Sequence, residues 1–300
     1  MTVLSPILSV RSRLLRGVVV AVALVAGPAA LAPGVADTPR TSAIDEAQRS
    51  SGGRTSAQSY GWGRMLWDFA WEFGESIGSR PYRGADIGAG RWVERSNGTG
   101  RVAKYGGGVE FHSALVRKGT AEPDFGDTRL LLQDQPARRG RWEVSARSFR
   151  HETSGRDYTF LVELVPADPD AYDCGAHNLT VARFSPGGDE LTVGVNAGTA
   201  AWSRTFGGHR QDGNPHTFAV EVRDRRITWF SDGRSIASLG ARAAVPRVPL
   251  TVRMSLVGDG TAEMKKAVVK VDWVRGYDLE RGRTAPKGAA LSRRTYGDAC

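Results

Sequence analysis

The chain has 300 residues, of which 40% are hydrophobic and 24% are charged, and these are ordinary values for a soluble folded protein. They exclude a chain that is disordered throughout and a membrane protein with many spanning segments. Basic residues outnumber acidic ones by 41 to 32, which gives a net charge of +9. The length suits one large domain or two small ones.

Residues 1–36 have the pattern of a secretory signal peptide. Arg11, Arg13 and Arg16 precede an apolar run at 17–26, and small residues lead up to Ala36. This run is too short to cross a hydrocarbon layer of ~30 Å, which argues against a membrane anchor. We therefore expect cleavage after Ala36 and a secreted, extracellular protein without a membrane span in its mature chain.

The rest of the chain divides by composition into three parts. Residues 37–61 are rich in Ser, Thr, Arg and Gln, which predicts a flexible linker. Residues 62–278 are expected to form the folded domain, and residues 279–300 a polar C-terminal tail.

The domain reads as many short β-strands separated by turn signals. Apolar and alternating segments recur at roughly 8–14-residue intervals, and no helical periodicity is sustained. Ten strands are predicted, at 108–115, 129–133, 141–147, 158–164, 178–184, 191–195, 216–222, 226–230, 250–256 and 267–274. Asp232-Gly233 predicts a hairpin turn between two strands. This density of strands favours a single all-β sandwich over two domains.

The expected export of the protein decides how the two cysteines, Cys174 and Cys300, are interpreted. In an oxidising compartment the simplest arrangement is one disulfide between them. Two free thiols, or a cross-link from Cys300 to another chain, stay open. The five histidines are scattered and lack the spacing of a zinc site.

Four segments resemble, in their order and spacing, glycoside hydrolase family 16, whose members cut β-glucans and galactans. They are Gly140–Arg147, Asn214–Glu221, Arg226–Arg234 and Val271–Arg275, and Trp67–Phe69 resembles the start of the family's domain. The resemblance implies a concanavalin-like jelly-roll sandwich of two antiparallel sheets with a concave cleft.

The family's chemistry lies on one strand with the pattern Glu-x-Asp-x-x-Glu. Residues i and i+2 share a strand face, and a bulge lets i+5 rejoin it. Two carboxylates ~5–5.5 Å apart then act as nucleophile and acid/base in a retaining glycosidase. The matching positions here are Asn178, Thr180 and Arg183, or Ala176, Asn178 and Val181 if the register shifts by two. Neither set contains a carboxylate, so the standard mechanism is expected to be absent.

A second acidic pattern precedes that strand. Asp168, Asp170 and Asp173 have the family's spacing with shorter acids, although Pro169 favours a loop over a strand. Three interpretations stay open: a solvated acidic turn, a calcium-binding loop, or a displaced catalytic set.

Two further residues have alternative roles. Trp202 is either a sugar platform in the cleft or a core residue. Asp272 resembles an aspartate that binds structural calcium in the family, and the alternative is a strand-end hydrogen bonder. No cofactor is required, and structural calcium is the one metal considered.

Three functions are therefore weighed. The first is a secreted, catalytically inactive relative that binds polysaccharide or cell-wall glycan through Asn178, Thr180, Arg183 and Trp202. The second is a divergent glycoside hydrolase that uses displaced acids on β-glucan or galactan. The third is an envelope structural or interaction protein that associates with anionic polymers by charge. A monomer is expected, and nucleic acid is not an expected partner because no base-stacking motif is present.

Overall fold

The computed structural model describes residues 54–71, 92–97, 100–113, 126–133, 135–150, 155–168, 177–197, 200–258 and 266–282. This part of the chain contains one short α-helix, α1 (Ser56–Tyr60), a 3-10 turn (Arg242–Ala244) and fifteen strands. The strands are β1 (Met65–Phe69), β2 (Trp92–Glu94), β3 (Arg101–Lys104), β4 (Val109–His112), β5 (Thr128–Leu132), β6 (Gly140–Arg150), β7 (Thr159–Pro166), β8 (His177–Phe184), β9 (Leu191–Ala197), β10 (Ala200–Phe206), β11 (His216–Arg223), β12 (Arg226–Ser231), β13 (Arg234–Leu239), β14 (Leu250–Val257) and β15 (Ala267–Tyr277).

The strands form two antiparallel sheets. Sheet A has the order β13-β12-β11-β6-β15-β4-β3, and β1 pairs with the far end of β15. Sheet B has the order β10-β9-β8-β7-β14-β5-β2. Ten of the fifteen strands correspond to the ten predicted ones, and the all-β sandwich is confirmed.

The core lies between the sheets because apolar residues alternate along the strands that face each other. Phe111 and Phe218 of sheet A contact Phe160 and Phe184 of sheet B, and all four are buried. The aromatic rings pack at offset or edge-on angles, with Phe184 and Phe218 centred 5.4 Å apart.

The hairpin predicted at Asp232-Gly233 joins β12 to β13. Both residues have positive φ, 46° and 71°, as a two-residue type I′ turn requires. Glycine is favoured at position 233 for a second reason besides its positive φ. A Cβ there would lie 2.6 Å from the carbonyl oxygen of Arg54.

The structure corrects one predicted boundary, because the end of the expected linker is folded. Thr55 and Gln58 form a capping box that starts α1. Tyr60 then packs edge-on against Phe230 on the outer face of sheet A. Order therefore begins at least seven residues before Trp62. Within the described ranges, no helix is long and apolar enough to cross a membrane.

Candidate functional site

A β-bulge in β8 sets the geometry of the expected site. Thr180 pairs with Glu163 of β7, whereas Arg183 pairs with Leu161, so the register slips by one residue between them. The same slip separates Thr180 and Arg183 in the ladder with β9. Because Glu163 and Leu161 share a face of β7, the bulge brings Thr180 and Arg183 to one face of sheet B.

Asn178 lies on that same face, two residues before Thr180. We call this side of sheet B the polar face; Leu179 and Val181 point to the core instead. Asn178 and Thr180 are almost fully buried, and Arg183 is half-buried. The structure thus brings the three residues together, and it offers an amide, a hydroxyl and a guanidinium. None of these can act as the nucleophile or proton donor of a retaining glycosidase.

Among the described residues, Glu163 places a carboxylate directly opposite Thr180 on the neighbouring strand. Its side chain is almost fully buried. Arg253 of β14 donates to Glu163 Oε2 from Nε at 3.0 Å and from Nη2 at 2.8 Å. Glu163 is therefore held in a buried ion pair, and one of its oxygens is already bound twice.

Burial raises the pKa of the Glu163 carboxyl above its ordinary value, because the charged form is removed from water. Arg253 opposes this shift most strongly, and the charges of Arg129 and Arg183 oppose it as well. The charges of three guanidinium groups therefore act on the Glu163 carboxyl group, and among the described residues this centre of the polar face carries net positive charge.

Three buried polar atoms at this centre have no hydrogen-bond partner among the described residues. They are Glu163 Oε1, Arg129 Nε and Ser255 Oγ, and the last two residues are paired across β5 and β14. Buried polar groups are nearly always bonded, so three such atoms close together on the polar face are unusual.

The strands of sheet B contain only one other carboxylate, Glu94 of β2. Glu94 accepts from the backbone N–H of Val102 and from the hydroxyl of Ser96, so it is engaged away from the polar face. The described strands therefore do not place two carboxylates together at the position where retaining hydrolysis needs them.

Of the three aspartates considered as a displaced catalytic set, the structure describes only one. Asp168 lies just beyond β7 and is exposed. Asp170 and Asp173 lie outside the described residues, as do Cys174 and Cys300, so the structure tests neither the acidic pattern nor the predicted disulfide.

Trp202 does not lie on the polar face, which corrects its interpretation as a sugar platform. It pairs with Val195, whose side chain faces the core. Its ring lies 5.0 Å from that of Trp229, and 7% of the residue is exposed. The core role considered from the sequence is the one the structure shows.

Asp272 does not fit the calcium site that the resemblance implied. Its carboxylate accepts from Arg147 Nη2 at 2.8 Å, and Ser145 Oγ lies 3.5 Å away. A guanidinium therefore occupies the place that a cation would take. No group of three His, Cys, Asp or Glu residues in the described ranges could hold a metal ion.

Sequence reasoning missed the pairing of Glu163 with Arg253 and the nearby charge of Arg129. A signal was available, because Glu163 and Arg253 are each the only charged residue in a largely apolar strand. Charged residues are almost never fully buried unless they are paired, so one such acid and one such base predict each other.

Solved structures share this architecture at low sequence identity. A laminarinase from Rhodothermus marinus is 18% identical, with a TM-score of 0.54, and the match covers 75% of this chain and 99% of that one. An endo-β-1,3-glucanase from Pyrococcus furiosus is 14% identical, with a TM-score of 0.53, and the match covers 74% and 96%. A non-specific endo-β-1,3(4)-glucanase from family 16 is 13% identical, with a TM-score of 0.53, and the match covers 75% and 94%.

The protein has the fold of the family 16 glycoside hydrolases. Identities this low establish the family 16 fold alone. The sequence itself matches no protein-family model and no curated protein.

Proposed function

We propose that this protein is an exported polysaccharide-binding protein that lacks hydrolytic activity. The observation that carries the proposal is the state of Glu163. Retaining hydrolysis needs two carboxylates on the polar face, and the described strands supply one, which is buried and ion-paired with Arg253. A substrate would have to break that pair before the carboxyl could attack or donate a proton.

Binding needs only hydrogen bonders that a sugar can reach. Arg183, Thr192 and Thr205 lie side by side on β8, β9 and β10, and we call them the outer row. Adjacent strands lie ~4.8 Å apart, so the row presents a guanidinium and two hydroxyls at regular intervals. The two threonine hydroxyls are 2.8 Å apart and exposed.

The named functions of similar structures support a glycan ligand. One of them, a family 16 endo-β-1,3(4)-glucanase, was crystallised with a glucan oligosaccharide. Since fold alone does not carry function, the proposal rests on the outer row and on Glu163.

Retention on insoluble polysaccharides tests the binding half of the proposal. We expect the protein to be retained on at least one of β-1,3-glucan particles, agarose or purified cell wall. Arg183→Ala and Thr205→Ala should each weaken retention several-fold. Arg234→Ala, which replaces an exposed arginine of sheet A, is the matched control and should leave it unchanged.

Two results would overturn the binding proposal. One is retention no greater than that of an unrelated basic protein. The other is retention that disappears at about 1 M salt, where the Debye length is ~3 Å, because binding by charge alone would then explain it. The latter result would favour the envelope-association function.

Export is tested on the secreted material. N-terminal sequencing should begin at Asp37, because the expected cleavage follows Ala36. A mature chain that still begins at Met1 would contradict export through this signal.

A further inference from the structure

A strongly basic pocket lies at one end of the sandwich, outside the polar face. Three connections meet there: the loop before β6, the turn between β11 and β12, and the segment from the 3-10 turn to β14. The pocket has a volume of about 600 Å³. Among the described residues, five arginines line it, namely Arg138, Arg139, Arg225, Arg242 and Arg247.

One of these arginines is fixed by the fold. Arg139 Nε donates to Asp224 Oδ1 at 3.0 Å, and its Nη1 donates to the carbonyl oxygens of Arg138 and Pro246. Asp224 is 91% exposed at its side chain and is the only acidic residue among the described ones that line the pocket. The described residues of the lining therefore carry a charge of +4, from five arginines and one aspartate.

The other four guanidiniums have no ion pair or side-chain hydrogen bond to the described residues. Arg138, Arg225, Arg242 and Arg247 are all exposed. Like charges held around one cavity repel each other, and a bound anion would relieve that repulsion. The pocket thus presents several unoccupied donors around a buried apolar residue, Val245.

We propose that this pocket binds the sulfate or phosphate ester groups of an anionic glycan. Guanidinium forks match tetrahedral oxyanions with paired hydrogen bonds, which lysine cannot provide. A pocket of this volume is in the range of small-molecule sites, ~300–1,000 Å³, and exceeds the size of a single ion, so it suits a sugar with its ester groups. Among the described residues, no aromatic side chain lines the pocket, so it offers no surface on which nucleic acid bases would stack.

The glycan part of this inference rests on the proposed function, whereas the requirement for an anion comes from the pocket alone. The two can fail separately. Neutral glucan binding depends on the outer row, and ester binding depends on the pocket arginines.

The test measures affinity for four probes: heparin as a sulfated glycan, phosphomannan as a phosphorylated glycan, neutral laminarin, and single-stranded polynucleotide. The variant is the double substitution Arg242→Gln/Arg247→Gln. The matched control is Arg210→Gln/Arg234→Gln, which removes the same charge near the hairpin turn at Asp232, at the other end of β12. All four substituted arginines are exposed, so circular dichroism and thermal melting should match the wild type.

We expect the wild type to bind heparin, phosphomannan or both, and the pocket variant to bind them about tenfold more weakly. The control variant should retain wild-type affinity, and laminarin binding should be unchanged in both variants. The ester that is bound identifies whether sulfate or phosphate is the ligand.

Three results would overturn the inference. They are the absence of binding to both anionic glycans, an equal loss in the pocket and control variants, and tighter binding of polynucleotide than of either glycan. Failure to bind any neutral glucan, with ester binding intact, would instead contradict the role proposed for the outer row and would leave the inference about the pocket unaffected.

Discussion

The indole nitrogen of Trp229 lies 2.9 Å from the carbonyl oxygen of Thr180 and donates a hydrogen bond to it. This bond joins sheet A to sheet B at the point where the ladder between β8 and β9 loses its register. Trp229 is fully buried, so the bond is shielded from water. Sheet A thereby helps to hold the bulge that places Thr180 and Arg183 on one face.

Trp229→Phe should destabilise the protein through the lost hydrogen bond as well as through lost volume. The control is Trp92→Phe, because Trp92 is equally buried and its indole nitrogen has no partner among the described residues. We expect the difference between the two free energies of unfolding to be about 1 kcal/mol, the usual net contribution of one hydrogen bond. Urea denaturation measures it, and equal losses would show that the bond contributes nothing.

Arg253→Met should cost about 3 kcal/mol of unfolding free energy at pH 8, because it leaves Glu163 ionised and buried without its main partner. The loss should be smaller at pH 5, where the carboxyl, whose pKa burial already raises, can take up a proton. Asp212→Asn, which breaks an exposed pair with Arg210, is the control and should change little. A loss that is the same at both pH values would contradict this account.

Glu143 should make the protein less stable as the pH rises. Burial raises the pKa of the Glu143 carboxyl from 4.5 to about 7. The hydrogen bond from the backbone N–H of Ser56 and the charge of Arg275 lower this pKa, but they do not cancel the effect of burial. The folded state therefore holds a proton that the unfolded chain has released, and stability falls between about pH 4.5 and pH 7.

The expected fall in unfolding free energy is about 3 kcal/mol, because each tenfold difference in proton affinity between the folded and unfolded states corresponds to ~1.4 kcal/mol. Glu143→Gln should flatten the dependence of unfolding free energy on pH across that window, because the amide does not titrate. Glu280→Gln, at an exposed position, should leave the slope unchanged. An unaltered slope in Glu143→Gln would show that another group titrates.

The predicted disulfide between Cys174 and Cys300 would close a loop of more than 100 residues and stabilise the fold by roughly 4–5 kcal/mol in the chain-entropy model. Peptide mapping of exported protein without reductant should find one cross-linked peptide that contains both cysteines. Alkylation of both thiols in the native exported protein would rule the bridge out.

The strands that pair with a neighbour on both sides were predictable from sequence, and the strands at the sheet edges were not. Segments such as Leu250–Leu256 alternate or run apolar because the core selects those residues. The edge strand β10 was missed, since Ser203, Arg204 and Thr205 are exposed and carry no apolar period.

The site could be predicted only in part, because its geometry depends on pairing between strands. The i, i+2 and i+5 spacing of Asn178, Thr180 and Arg183 predicted that they share one strand face, provided that the strand contains a bulge. The partnership of Glu163 with Arg253 depends on a register between strands about 90 residues apart, which no local pattern contains. Trp202 was ambiguous for the same reason, although a second aromatic residue, at position 206, shares its parity along β10 and thus hinted at the core.

The central claim is that the polar face binds glycan without cutting it. The most direct measurement is the release of reducing ends from laminarin, lichenan, agarose and carrageenan by the wild type, compared with Glu163→Gln and with Asp170→Asn. We predict that all three proteins match the buffer blank on every substrate. Release by the wild type above the blank would contradict the claim, and its loss in either variant would identify that carboxyl group as catalytic.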